Sequence, residues 1–274
     1  MAELPEVKTL QLERSKSVLT VRLNRPEARN AMSLAMVAEI EKVFAAIADD
    51  RSIRTVVLRG NGGHFCAGGD VKDMAAARMA QPSEGKDPIF EVNRAFGRMI
   101  EKVDAAPQSV VAVCEGAVLG GGFGLACVAD VTLVEAKAEF GLPETSLGLP
   151  PAQIAPFVVK RVGLSQARRL AVTGGRFDGR TAVAIGIGHE VFEGTEALEA
   201  GLAKVLGQIA NCAPGAIAVT KGLMLSLGTM PLGELLDHGA REFASCVRGP
   251  EGMEGTMAFV QKRKPSWNDQ EGGA

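Results

Sequence analysis

Apolar and polar residues alternate over residues 18–23, where Leu19, Val21 and Leu23 are separated by polar side chains. A period of two is typical of a strand with one buried face, so this segment predicts a strand. Ser33 then precedes a stretch in which apolar residues recur every three or four positions. That spacing indicates an amphipathic helix, and a serine before it is a common N-cap because its hydroxyl accepts a hydrogen bond from a free amide. We therefore predict a helix that begins after Ser33.

The succession of strand, glycine-rich turn and helix recurs through roughly the first 200 residues. Short apolar strands are predicted at residues 55–58, 109–114 and 131–134. Residues 125–129 have the composition of a buried helix. This alternation predicts an α/β domain with short, buried strands.

After residue 200 the strand pattern ends and helical spacing takes over. The helical segments are 196–210, 214–227, 231–247 and 252–263. We therefore predict an α/β core over residues 1–200 and a helical C-terminal region over residues 201–274.

Two apolar stripes in this helical region predict self-association. One stripe consists of Leu202, Val205, Leu206 and Ile209, and the other of Leu232, Leu235, Leu236 and Phe243. Four short helices have few ways to cover both stripes within one chain, so we expect a neighbouring copy to remove them from water.

Composition and charge exclude several function classes. The 274 residues are 46% hydrophobic and 23% charged with a net charge of -2, which is typical of a globular protein and gives no basic surface for nucleic acid. The N-terminus carries charges where a signal peptide is apolar, and no apolar run is long enough to span a membrane. The five cysteines form no Cys-x-x-Cys pair, which favours a reducing cytoplasm.

Two glycine clusters, at residues 65–70 and 118–124, each follow a predicted strand and open a probable helix. Free amides at a helix N-terminus suit an anion or an oxygen that gains negative charge. Glycines in such turns are equally explained by tight backbone geometry, so the pair is more informative than either cluster alone. Neither cluster has the spacing of a dinucleotide or phosphate loop. The three histidines are too isolated for a metal site or a catalytic triad.

Five motifs in this order resemble the enoyl-CoA hydratase/isomerase, or crotonase, family. They are residues 23–31, 65–71, 120–122, the Phe-Gly-Leu-Pro-Glu sequence at 140–144, and residues 252–253 with 258–264. The resemblance covers nearly the whole chain. It implies a crotonase-like ββα spiral core with a C-terminal helical region for oligomerisation, and a homotrimer or a hexamer of two trimers.

The resemblance also implies which residues form the site. The amides of Gly69 and Gly121 would bind the thioester oxygen, and Glu144 would be the acid/base carboxylate. The residues implied in coenzyme A and substrate binding are Arg25, Ala28, Arg29, Ala67, Gly68, Asp70, Val71, Gly120, Phe259 and Lys262. Asp70 is as well explained as the cap of a helix. The family implies an acyl-CoA substrate, of which coenzyme A is a part, with no metal and no permanently bound cofactor.

One departure from the family pattern leaves the reaction open. Well-studied hydratases carry a second glutamate just after the glycine triplet, and this chain has Gly124 there. With Glu144 alone the chain would hydrate an α,β-unsaturated acyl-CoA using water held by Gln153 or Ser146, shift a double bond, or run another enolate reaction. Residues 145–156 resemble bacterial hydratases of branched glutaconyl-CoA thioesters. A non-catalytic acyl-CoA-binding or RNA-binding member of the fold is the alternative, which Glu144 and the lack of a basic patch disfavour.

Overall fold

The computed structural model of the chain describes residues 3–81, 85 and 87–269. Its strands are β1 (Leu10–Ser15), β2 (Val18–Leu23), β3 (Thr55–Gly60), β4 (Ser109–Cys114), β5 (Ala117–Leu119), β6 (Val131–Glu135), β7 (Glu139–Gly141), β8 (Arg176–Asp178) and β9 (Glu190–Phe192). They form one sheet in the order β1-β2-β3-β4-β6-β9 and a smaller sheet in the order β5-β7-β8.

The larger sheet is parallel except at one edge. Strands β1 and β2 form an antiparallel pair, and every later pairing in this sheet is parallel. The predicted alternation in β2 is confirmed, because Leu19, Val21 and Leu23 are all fully buried. Strands β3 and β4 are buried along almost their whole length, as expected for parallel strands covered on both faces.

Helices cover both faces of the sheet and continue to Asp269. They are α1 (Leu34–Ile47), α2 (Val71–Met79), α3 (Pro88–Asp104), α4 (Gly121–Val128), α5 (Ala155–Thr173), α6 (Gly179–Ala184), α7 (Gly194–Ala210), α8 (Pro214–Leu225), α9 (Leu232–Arg248), α10 (Pro250–Val260) and α11 (Ser266–Asp269). Ser33 caps α1 as predicted, since its hydroxyl accepts a hydrogen bond from the Met36 amide at 3.2 Å.

Helix α4 begins at Gly121, four residues before the predicted start at residue 125. Glycine destabilises the interior of a helix, so the sequence predicted a helix only over the apolar residues 125–129. Tertiary packing overrides that preference. An added Cβ on Gly122 would lie 2.6 Å from Cβ of Cys66, so only a glycine fits at the start of this helix.

Helix α7 covers the sheet face opposite to the main core. Leu198, Leu202 and Val205 pack there with apolar side chains of the sheet, and Leu206 and Ile209 join the same cluster. The first of the two apolar stripes is therefore covered by the chain's own sheet, contrary to our expectation of a neighbouring copy. The predicted boundary at residue 200 falls inside α7, and the helices outside the sheet layers begin at Pro214. The two-domain division stays a prediction.

Beyond residue 200 the described chain contains helices and one isolated bridge, between Leu227 and Met230, as the helical spacing predicted. Within the described residues no single helix is long and apolar enough to cross a membrane. Helices α7 and α8 together reach that length and composition, but they are bent by 99° at the break between them.

Candidate active site

The first glycine turn connects β3 to α2 and is held by a short backbone bridge to Met32. The Met32 amide donates to the Gly68 carbonyl at 2.8 Å, and the Asp70 amide donates to the Met32 carbonyl at 2.9 Å. Backbone groups alternate in direction along an extended chain, so the amide of Gly69 points to the side opposite Met32. Gly68 has a φ of 104°, which side-chain-bearing residues rarely adopt.

The second glycine turn connects β5 to α4. Gly120 has a φ of 51° and a ψ of -117°, and its amide donates to the Gly141 carbonyl at 3.1 Å. Gly121 is the first residue of α4, so its amide has no hydrogen-bond acceptor within the helix. The positive end of the helix dipole lies behind this amide.

The two turns lie side by side. The Leu119 amide donates to the Cys66 carbonyl at 2.9 Å, and an added Cβ on Gly68 would lie 3.5 Å from the Leu119 carbonyl oxygen and 4.0 Å from Cα of Gly120. Neither the Gly69 nor the Gly121 amide donates a hydrogen bond to another group of the described residues. Two free amides next to each other can stabilise one oxygen that gains negative charge.

The carboxylate of Glu144 lies beside the second turn. Glu144 sits on a 3₁₀ helix, Pro143–Leu147, that follows β7, and its Oε1 is 2.9 Å from an added Cβ on Gly120. Oε2 is buried and accepts no hydrogen bond from any described residue. Burial raises the pKa of this carboxyl above that of an ordinary glutamate, which favours a group that both takes and returns a proton.

An apolar wall lies on the other side of the second turn. An added Cβ on Gly124 would overlap Cγ2 of Ile154 and lie 3.1 Å from Cδ1 of Ile100. The corresponding Cβ on Gly121 would lie 3.0 Å from Cε2 of Phe96. The space beyond Gly124 is therefore filled with aliphatic side chains, and a second carboxylate at this position has no room.

The loop that follows β2 holds the first turn from the other side. The Arg25 Nη1 atom lies 2.8 Å from Oδ2 of Asp70, and the Ala67 amide donates to the Arg29 carbonyl at 3.0 Å. Asp70 also caps α2, because its side chain accepts a hydrogen bond from the Lys72 amide. Burial opposes ionisation of Asp70, but the Lys72 hydrogen bond and the Arg25 guanidinium outweigh it and lower the pKa.

Comparisons with known proteins agree on one family. The enoyl-CoA hydratase/isomerase family matches residues 13–270. The chain belongs to this family. The structure of AtuE from Pseudomonas aeruginosa superposes with a TM-score of 0.92 at 59% identity, over 95% of this chain and 100% of that one.

Two curated relatives of the family are similar to this chain at lower identity. The carnitinyl-CoA dehydratase of Proteus mirabilis is 32% identical over 265 residues, which is 94% of this chain and 98% of the relative. The 2,3-dehydroadipyl-CoA hydratase of Escherichia coli is 30% identical over 259 residues, again 94% of this chain and 98% of the relative.

Membership of the enoyl-CoA hydratase/isomerase family confirms the predicted crotonase fold. It also confirms an enzyme of the hydratase, or lyase, type that acts on acyl-CoA thioesters. The glycine turns and Glu144 together provide two free amides and a buried carboxylate, the groups that hydratase chemistry on a thioester can use.

The structure brings most of the predicted site residues together, with two outside the group. Phe259 and Lys262 lie at the end of α10, and the side chain of Phe259 is 86% exposed. The Trp267 ring packs on Gly255 of α10, and the Trp267 carbonyl accepts a hydrogen bond from Arg54, the residue that precedes β3. This end of the sheet is opposite to the glycine turns, so the structure does not bring Phe259 and Lys262 together with the turns of the same chain.

Sequence reasoning missed the apolar residues around the turns, namely Met32, Phe96 and Ile154. Phe96 and Ile100 are four positions apart on α3, and their helical spacing was a usable signal. Ile154 had no such signal, because only the fold shows that it packs on Gly124.

Proposed function

We propose that this enzyme adds water across the double bond of an α,β-unsaturated acyl-CoA. The amides of Gly69 and Gly121 bind the thioester oxygen, and Glu144 carries the proton. The observation that supports the proposal best is the buried, unpartnered Oε2 of Glu144 beside two free amides. A buried carboxylate oxygen without a partner is costly, which is expected where a water or a substrate supplies the missing hydrogen bond.

A single carboxylate is sufficient for the hydration. Glu144 removes a proton from water as the water oxygen bonds to Cβ, and electrons move from the Cα–Cβ double bond onto the thioester oxygen. The two amides stabilise this enolate, and each such contact is typically worth about 10²–10³ in rate. When the enolate collapses, the protonated Glu144 delivers the same proton to Cα, so one molecule of water has been added.

The other polar candidates for holding the water each donate one hydrogen bond to the protein. The Ser146 hydroxyl donates to the Pro143 carbonyl at 2.6 Å, and the Gln153 amide nitrogen donates to Oδ1 of Asn93 at 2.7 Å. Neither side chain carries a carboxylate that could take a proton from water. We therefore assign the activation of water to Glu144.

Double-bond isomerisation is the second candidate, and the apolar packing around Gly124 favours it. A base that shuttles one proton between Cγ and Cα needs no second polar group, and the wall of Ile154 and Ile100 offers none. Incubation with crotonyl-CoA and with 3-pentenoyl-CoA separates the two reactions. Hydration is supported by a 3-hydroxyacyl product from crotonyl-CoA, whereas a conjugated 2-enoyl product without hydroxylation supports isomerisation.

We propose branched glutaconyl-CoA thioesters, whose acyl group ends in a carboxylate, as the preferred substrates. A polar group of side chains lies next to Phe96 on α3, where an added Cβ on Gly97, the following residue, would meet Oε1 of Gln153 and Nη1 of Arg94. Nη2 of Arg94 donates to both carboxylate oxygens of Glu101 at 3.0 Å, which leaves Nη1 and the Gln153 amide to bind a terminal carboxylate. One relative, moreover, is named for 2,3-dehydroadipyl-CoA, whose acyl group also ends in a carboxylate.

The substrate proposal is tested with crotonyl-CoA and 3-methylglutaconyl-CoA, following the loss of the conjugated thioester absorbance. Arg94→Gln should raise KM for 3-methylglutaconyl-CoA by about 10–100-fold, the equivalent of about 1.5–3 kcal/mol for a hydrogen bond to a charged group, and leave crotonyl-CoA unchanged. Arg98→Gln on the same helix is the control. Equal efficiency of the wild type on both substrates would contradict the substrate assignment.

The catalytic assignment is tested by Glu144→Gln, which keeps the shape and removes proton exchange. Turnover should fall by about 10²–10⁴ while acyl-CoA binding persists. Glu139→Gln is the matched control, since Glu139 pairs with Arg176 on the exposed surface of the small sheet. Turnover near that of the wild type in Glu144→Gln would refute the assignment.

We also propose that the enzyme assembles as a trimer, or as two stacked trimers, so that Phe259 and Lys262 reach coenzyme A bound to a neighbouring copy. Coenzyme A would lie along Arg25, Ala28 and Arg29 on one side and Ala67 to Val71 on the other.

The five cysteines are free thiols in the structure, which supports the proposed cytoplasmic location.

A further inference from the structure

Cys66 is connected to both glycine turns through its backbone. It lies in the first turn, and its amide donates to the Ala117 carbonyl at 2.8 Å while its carbonyl accepts from the Leu119 amide at 2.9 Å. The residue therefore pairs with β5, the strand that leads directly into the second turn. Any shift of one turn against the other must disturb these two hydrogen bonds.

The side chain of Cys66 also lies between the two turns. Its Sγ accepts a hydrogen bond from the Gly68 amide at 3.4 Å, within the usual range for sulfur. On its other side, Cβ and Sγ of Cys66 are 2.6 Å and 3.2 Å from an added Cβ on Gly122. One small side chain thus contacts the residue before Gly69 and the residue after Gly121.

The thiol does not act as a nucleophile. It is fully buried, and burial raises its pKa to about 12, so it stays protonated at neutral pH. Its remaining roles are to fill space and to form weak hydrogen bonds with Gly68, whose amide donates to Sγ and whose carbonyl accepts from it at 3.7 Å. Both roles depend on the size of the Cys66 side chain. Gly122 has no side chain and so leaves room for it on the opposite side.

We propose that Cys66 is a positioning residue that sets the spacing between the Gly69 and Gly121 amides. Smaller side chains at 66 would leave a gap below Gly122 and release the Gly68 amide. Both effects let the two amides move apart. The inference rests on the proposed role of these amides in binding the thioester oxygen, and an ångström of misplacement at a catalytic group can lower rates by about 10²-fold.

The test compares Cys66→Ala and Cys66→Ser with Cys114→Ala. Cys114 is equally buried in the same core but lies on β4, outside residues 65–70 and 118–124, so its truncation makes a similar cavity outside the two turns. We expect Cys66→Ala to lower kcat for crotonyl-CoA by about 10–100-fold with KM little changed. Cys66→Ser, which retains an acceptor, should recover part of kcat. Cys114→Ala should keep the kcat of the wild type even if its melting temperature falls by as much as that of Cys66→Ala.

A second measurement does not depend on turnover. Butyryl-CoA labelled with ¹³C at the thioester carbonyl should show a downfield shift of that carbon on binding, because the two amides polarise the carbonyl. We expect the shift to shrink in Cys66→Ala and to persist in Cys114→Ala. A full shift and full kcat in Cys66→Ala, or equal losses of kcat in the two alanine variants, would overturn the role of Cys66. No shift in the wild type would instead contradict the proposed role of the amides.

Discussion

Oε1 of Glu144 lies so close to the backbone of Gly120 that an added Cβ would be 2.9 Å away from it. Gly120→Ala should therefore push the carboxylate away from the substrate. The same substitution strains the backbone, because Gly120 has a φ of 51°, at a cost of about 1–3 kcal/mol. We expect kcat to fall by about 10²-fold, as for a misplaced catalytic group. Steady-state assays with crotonyl-CoA measure the effect.

Gly186→Ala separates the two causes. Gly186 also has a positive φ, of 86°, but an added Cβ there meets nothing within 4 Å. It should lower the melting temperature and leave kcat intact. If both alanine variants lost activity in proportion to stability, the contact with Glu144 would not be the cause.

The raised pKa of Glu144 predicts a pH dependence of activity. The carboxylate must be ionised to accept a proton from water, so kcat/KM should fall as the pH drops through the pKa of the buried group. Because burial raises that pKa, the acidic limb should lie above the range of an ordinary glutamate. Rates measured between about pH 3.5 and 9 would show it, whereas a limb at the ordinary value of about 4.3 would contradict the desolvation of Glu144.

The same pKa shift has a consequence for stability. A carboxyl whose pKa is higher in the folded than in the unfolded protein binds more protons when folded, so its contribution to stability is lost as pH rises through the folded pKa. Glu144→Gln removes this dependence. The free energy of unfolding of the variant minus that of the wild type should therefore be larger at pH 8 than at pH 4. Urea denaturation of both proteins at the two pH values measures this difference.

Part of the fold followed from the sequence, because local pattern and burial agree over the strands β2, β3, β4 and β6, whereas β1 and the three-residue strands β5, β7, β8 and β9 were not predicted. The alternation at Leu19, Val21 and Leu23 places all three side chains in the core, and Ser33 caps the helix that its position predicted. The glycine turns and Glu144 were recognised from their motifs. Their shared location was not derivable from spacing, since it depends on the pairing of Cys66 with Val118.

The elements that escaped prediction are those set by tertiary contacts. The stripe containing Leu202 and Val205 was correctly recognised as apolar, but the pattern does not say whether a sheet or another chain covers it. Gly124 showed that one carboxylate was missing. That Ile154 fills the vacated space required the fold, because the two residues belong to different helical regions.

The contact between Gly124 and Ile154 predicts a coupling in stability. Gly124→Ala should cost about 1–3 kcal/mol by overpacking, and Ile154→Ala about 2–5 kcal/mol by leaving a cavity. In the double variant the new methyl group occupies part of that cavity, so the combined loss should be smaller than the sum by about 0.5–3 kcal/mol. Urea denaturation of the four proteins measures the coupling.

A second cycle shows whether the coupling is specific. Leu198 is fully buried in the cluster on the opposite face of the sheet, away from Ile154. Gly124→Ala and Leu198→Ala should therefore be additive. An additive result for the Gly124 and Ile154 pair as well would mean that the two side chains do not compete for the same space.

The second apolar stripe, on α9, predicts self-association. Leu232, Leu236 and Phe243 stay 64–72% exposed in the single chain, unlike the stripe on α7 that the sheet covers. A row of large apolar side chains on one helix is unfavourable in water unless a partner covers it. We expect light scattering to give a mass of three or six times the 28.6 kDa chain, and Phe243→Glu to shift it towards the monomer while Phe243→Leu does not. A monomeric wild type at micromolar concentration would rule out self-association, and a dimer would refute the trimer alone.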